Sequence, residues 1–244
     1  MRIALLSILL LPTLAQAQGG AGPAASVGIS VQRSSHFYTT FDGFPVNQTR
    51  YSRVATGSPY LFDHYLPAIV VLGNGTGYEG VRVRLNLVEN ELQYRDTKGM
   101  ERVTKVPMKQ LVIRDTVSGT EHTLVNSIAL PPDAPKSGWY ELLADGPLQL
   151  LKLRERRLVT EKPFNSASEE QRIEARDRYF VLHKGKYTEV KKPKDLAPFF
   201  ATQQKEMDAF QKQQRDRELA WERAATEAVQ HYNGLESPPA KAAF

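Results

Sequence analysis

The chain has no cysteine anywhere in its 244 residues. That absence excludes a disulfide framework, a thiol nucleophile and a thiolate zinc site together. It also excludes the lipid-bearing cysteine that tethers a bacterial lipoprotein. Histidine is scarce, and the five present (His36, His64, His122, His183 and His231) are scattered, none three or four residues from another. Without that spacing there is no His-Glu-x-x-His helix and no metal-ligand set. No Gly-x-x-x-x-Gly-Lys-Ser/Thr string occurs to cradle a phosphate, and no serine stands in a Gly-x-Ser-x-Gly elbow. Long apolar runs are missing once the N-terminus is passed. The longest uncharged one, Leu66 to Leu72, contains Pro67 and falls far short of the ~20 residues a membrane-spanning helix needs. Evenly spaced amphipathic strands of ~10 residues, the mark of a membrane barrel, are lacking as well.

What the N-terminus does contain is an export pattern. Arg2 is followed by an apolar run, Ile3 to Leu11, then Pro12, then small residues in Ala15-Gln16-Ala17. This predicts a signal peptide over 1–17 cut before Gln18, and a mature protein in the periplasm or outside the cell. Gln18 to Ser26, small and uncharged, reads as a flexible leader. Removing 1–17, with its single Arg and no acid, lowers the formal charge from +5 to +4. So mild an excess reads first as solubility. An exported chain meets anionic envelope surfaces or other envelope proteins, not nucleic acid, and these are the partner classes expected.

The body is patterned as sheet. Val27, Ile29 and Val31 alternate with polar residues, and Phe37, Thr39 and Phe41 do so again before the Asp42-Gly43 turn. From Tyr78 the alternation is strict, which predicts Val81, Val83, Leu85 and Leu87 buried and Arg82, Arg84 and Asn86 exposed. Further short strands, around 101–106, 108–114, 121–128, 139–143, 148–153, 179–182 and 187–190, are separated by turn residues every 8–12 positions. The polar stretch from Asn165 to Asp177 reads as a loop. From Pro193 the period changes to that of a helix, with Asp195 as N-cap. Leu196, Phe199, Phe200, Met207 and Phe210 form one stripe, and Trp221, Ala225, Ala228, Val229 and Tyr232 a second, stopping at Asn233-Gly234. The expected fold is α+β: a mainly antiparallel β domain over 27–192 (meander, sandwich or open barrel), two amphipathic helices over 193–234, and a tail at 235–244. The helices are expected to bury their stripes on the β body of the same chain, since lone helices of this length are marginal in water.

Candidate chemistry is thin. Gly73 to Gly77 has spaced glycines, but a period-2 strand follows where a nucleotide loop needs a helix, so a hairpin is expected. Asp63-His64 and Glu121-His122 read as loop or surface pairs. Glu89 and Glu91 flank a turn, and Trp139-Tyr140 reads as core packing.

The phrases Gly57-Ser58-Pro59-Tyr60-Leu61 and Asn90-Glu91-Leu92, the second within the Val81–Tyr94 hairpin, precede the Tyr179–Val190 hairpin and a Lys-rich helix. Over roughly 57–233 this resembles uncharacterised exported β-rich proteins of Bacteroidota-type bacteria. The resemblance implies compartment and architecture and transfers no catalytic residue. The expected function is an exported, non-enzymatic binding or envelope-associated module, with no catalytic, cofactor-binding or metal residue assigned and no cofactor. The alternative is a carbohydrate-active or other hydrolase whose carboxylates have no recognisable spacing.

Overall fold

The structure is a computed structural model that describes residues 31–236 apart from 41–42, 48, 163–168, 216 and 218. The expected signal peptide, the leader and most of the tail lie outside the described residues.

Thirteen strands form one sheet among the described residues. In chain order they are β1 (Val31–Arg33), β2 (Phe44–Pro45), β3 (Val54–Thr56), β4 (Leu66–Leu72), β5 (Gly77–Asn86), β6 (Glu91–Arg95) and β7 (Glu101–Thr104). There follow β8 (Met108–Arg114), β9 (Glu121–Asn126), β10 (Trp139–Ala144), β11 (Leu148–Glu161), β12 (Glu170–His183) and β13 (Lys186–Val190). Their order across the sheet is β13-β12-β11-β10-β9-β8-β4-β5-β6-β7-β2, with every neighbour antiparallel. Only the two strands off this path pair in parallel, β1 with β5 and β3 with β12.

The step from β7 to β8 dictates the shape. In a flat sheet those strands would stand four spacings, about 19 Å, apart. The link from Thr104 to Met108 spans at most about 14 Å. The sheet must therefore roll up across the run β8-β4-β5-β6-β7. The roll's interior is the first apolar core, with Val81, Val83, Leu85, Leu111, Ile113 and Tyr94 all nearly inaccessible. As the alternation from Tyr78 predicts, Val81, Val83, Leu85 and Leu87 are buried.

Three expectations fail here. Phe37 belongs not to a strand but to the short helix α1 (Ser34–Thr40), where its ring meets Tyr78 at 5.5 Å and Tyr94 at 5.2 Å, plugging the roll. Burial among aromatic rings decides the conformation over local alternation. Asn86 is buried and Arg84 largely so, because the opposite face of β5 is covered by the chain at 51–65. Residues 170–177 are not loop: β11 and β12 pair without interruption from Leu148↔His183 to Glu161↔Glu170. This outer ribbon hides from an apolar-period reading because its residues are mostly charged. Its cohesion comes from the backbone ladder, from ion pairs such as Arg172 with Glu161 and Glu174, and from buried Ile173.

The C-terminal segment packs on the same chain. A 3₁₀ helix (Pro193–Gln203) leads into α2 (Gln204–Arg215), and α3 (Trp221–Glu236) follows. Leu196, Phe200, Met207, Val229 and Tyr232 join Leu148, Leu150, Val181 and Val190 in a second core. Asp195 sits three residues inside the helix start, not at the N-cap. Its carboxylate accepts from the Lys191 and Lys192 amides (2.9 and 3.2 Å), which, the first above all, hold its pKa below the usual range. α3 also runs through Asn233-Gly234 instead of stopping. The buried Asn233 side chain accepts from Leu148 N (3.0 Å) and donates to Leu148 O (2.7 Å) and Asp145 O (2.9 Å), so tertiary bonds replace its usual role at a helix end. Gly146, at φ +137°, is required at that contact: a Cβ would lie 2.7 Å from the Asn233 amide nitrogen.

Candidate functional site

Cross-strand registers place Leu111, Leu124, Glu141, Lys152, Tyr179 and Val190 in one row on one face of the sheet. The row is apolar at both ends and charged in the middle, so an ionic seam separates the two cores. Glu141, 5% exposed, takes His122 Nδ1 on one oxygen (2.6 Å) and Arg154 on the other (2.6 and 2.7 Å). Burial alone would raise the Glu141 pKa, but His122 and Arg154 together hold it below the carboxylate range. Lys152 Nζ reaches Glu222 of α3 (2.5 Å) and Asp177 (3.2 Å), and Tyr179 donates to Glu222 (2.6 Å). Burial would lower the Lys152 pKa; the Glu222 bond and the Asp177 charge outweigh it and raise the value. Arg156 faces Asp177 at 3.6 Å. Three cations, Lys152, Arg154 and Arg156, thus meet three carboxylates, Glu141, Asp177 and Glu222. The seam is internally neutralised and ties α3 to the sheet.

Of the pairs singled out in sequence, His122 turns out to meet Glu141 and not its neighbour Glu121. Asp63 and His64 line a cavity of about 440 Å³ with Arg156 and Ile173, and Asp63 is bonded by Ser58. Gly73–Gly77 is a hairpin, and Trp139 and Tyr140 are core residues. Glu89 is bound by Arg50 (2.8 Å) and Tyr51 (3.3 Å). Among the described residues no three His, Asp or Glu side chains converge where a metal could be held.

The more open chemistry lies on the outer face of the roll. A cavity of about 300 Å³ has strands β5, β6 and β7 as its floor, through Asn86, Glu91, Gln93 and Val103. Residues 44–47, Arg50, Tyr51 and Tyr60 wall it. Gln93 is 3% exposed, and its Oε1 accepts from Arg84 Nε (3.1 Å) and Nη2 (2.8 Å). Guanidinium can only donate, which fixes the amide's orientation and sends Nε2 the other way. That nitrogen meets no acceptor among the described residues and is not sealed from solvent, so it opens into the cavity.

The surroundings are built to hold that orientation. Arg84 lies over Tyr60 (4.0 Å) and Tyr65 (4.6 Å) and also reaches Glu101 (3.4 Å). Burial pushes the Tyr65 hydroxyl far above its ordinary range, so it stays neutral. Asn86 Oδ1 accepts from the Val88 and Glu89 amides (3.0 and 3.2 Å), and its Nδ2 donates to Tyr51 Oη (3.1 Å). Tyr51, its pKa raised chiefly by burial, is thereby locked 6.4 Å from the Tyr60 ring. At the rim, Phe44 is 60% exposed, and Lys105 Nζ stands 5.2 Å from its ring centre. Sequence reading missed this site. Its floor residues sit at polar positions of ordinary amphipathic strands, and its walls come from a segment with no periodic signal.

Comparison with known proteins finds no matching family model, no matching curated protein and no matching solved structure.

Proposed function

We propose that this protein is an exported, non-enzymatic binding module of the bacterial envelope whose ligand occupies the cavity between Phe44, Tyr51, Tyr60 and Gln93. The observation that carries the reading is the Gln93 amide. A nearly inaccessible side chain with one end clamped by Arg84 leaves its two N–H donors facing an aromatic-walled space. The donors are held in a fixed direction and stay open to solvent, so a ligand that offers an acceptor meets hydrogen-bonding groups already oriented for it. Binding is favoured over catalysis by the state of the carboxylates. A general acid needs a raised pKa, whereas Glu141 is held low and Glu89 is ion-paired. The export pattern over 1–17 and the resemblance to exported β-rich proteins support the compartment. No helix among the described residues is long and apolar enough to cross a membrane.

The test is a thermal-shift screen of the purified protein against fragments from several classes: saccharides, amino acids and short peptides, nucleotides and lipid headgroups. At least one class should raise the melting temperature of the protein and not that of Phe44→Ala. No shift from any class, or shifts that survive the substitution, would remove the cavity as a binding site.

A further inference from the structure

We infer that the ligand class of this cavity is a neutral saccharide, one or two pyranose units of an envelope glycan. The inference rests on the proposed binding role of the cavity. A pyranose has an apolar face of C–H groups and an equator of hydroxyls, each both donor and acceptor. The cavity supplies counterparts for both. Phe44 offers an exposed ring held in place by the pairing of β2 with β7, Phe44 lying opposite Val103. An aromatic ring so fixed contributes contact area at little entropic cost.

The polar counterparts lie on the floor. Glu91 and Gln93 are two residues apart on one strand, hence on one face and about 6.6 Å apart along it. The Gln93 nitrogen donates. The Glu91 carboxylate accepts, and it meets no donor among the described residues. A ligand that both donates and accepts along one edge matches this pair; a purely anionic or cationic ligand satisfies only half of it.

Charge argues for neutrality. Arg50 is already paired with Glu89, which leaves Lys105 and Glu91 to offset each other around the cavity. Size argues for a small unit, because about 300 Å³ lies at the lower end of ligand cavities. A peptide laid along β2 would need backbone donors from that strand, and Pro45 has none.

The experiment is titration calorimetry of the purified protein with maltose, cellobiose and chitobiose, with a proline-rich peptide and inorganic phosphate as contrasts. At least one disaccharide should bind and remain chemically intact after incubation. Phe44→Ala and Glu91→Gln alter exposed or half-exposed groups and should leave the melting temperature unchanged. Each should weaken binding about tenfold or more, the loss of one ring contact or one charged hydrogen bond. Saccharide affinity unchanged in both variants would overturn the assignment. So would binding of the peptide or phosphate, lost in Phe44→Ala, with no disaccharide bound; that outcome would leave the binding role standing. If every probe is silent here and the fragment screen is silent too, the binding role itself fails.

Discussion

Arg84 shows how a single position can carry two readings. Its place in a strict alternation marks it as outward-facing, and it does lie on the face away from the roll's interior. That face is covered, and the guanidinium spends its donors on Gln93 and Glu101 between two tyrosine rings. Strand periodicity tells which side of the sheet a residue occupies, not what lies across from it. Glu141 is the residue whose environment is most testable. Its lowered pKa means that the stability it contributes is complete above the unfolded value of ~4.3 and is lost as pH falls through the folded one. Glu141→Gln should cost about 3–5 kcal/mol at pH 7, because Arg154 is left largely buried without its partner. Urea denaturation at pH 7 and pH 3.5 should show that gap shrinking in acid, because below its ordinary pKa the unfolded-state carboxylate takes up a proton that the native one resists. A gap independent of pH would mean the pair contributes no charge interaction.

At the scale of elements, legibility followed apolar content. The hairpins of β4 with β5 and of β5 with β6 and the two amphipathic helices could be read because their buried faces are aliphatic or aromatic. The outer half of the β11–β12 ribbon could not, since Arg154 to Arg157 and Arg172 to Arg178 are chiefly charged and their strand state depends on each other. Helix α1 carries a strand-like pattern because seven residues are too few for the 3.6-residue period to outweigh an accidental alternation. The candidate site was illegible for a different reason. Gln93 and Glu91 are ordinary strand polar residues until residues 44–47, Arg50 and Tyr51 are placed around them. The C-terminal elements yield a firm expectation. Phe200, 2% exposed against Tyr232, should cost about 3–5 kcal/mol when replaced by Ala, as measured by denaturant unfolding. A cost below about 1 kcal/mol would show that the 3₁₀ segment does not pack as described.

For the whole molecule, the ionic seam lies between the two larger cores, one enclosed by the curl of β4–β8 and the other covered by the helices, while Tyr140, Leu151, Leu153, Phe180 and Leu182 form a third, smaller cluster. Among the described residues, β2 and β13 are the outer edges of the sheet path, and Phe44 stands exposed on the first. Pro45 on one edge and Lys186 with Glu189 on the other discourage pairing with further strands. Compartment is tested directly. Expressed with residues 1–17 in a Gram-negative host, the protein should be recovered from the periplasm or medium beginning at Gln18. N-terminal sequencing that finds Met1 on the soluble protein would refute export.

The three-residue link from β7 to β8 has a thermodynamic consequence as well as a geometric one. Lys105 belongs to that link and also stands at the cavity rim over Phe44. Whatever bridges Phe44 and Lys105 therefore holds the strap that keeps the sheet rolled. For a ligand bound as proposed, linkage would make the effect mutual: occupancy of the outer cavity would tighten closure of the inner core, and loosening the core would weaken the cavity by the same factor. A ligand held on the outside of this protein would thus report on the integrity of its inside.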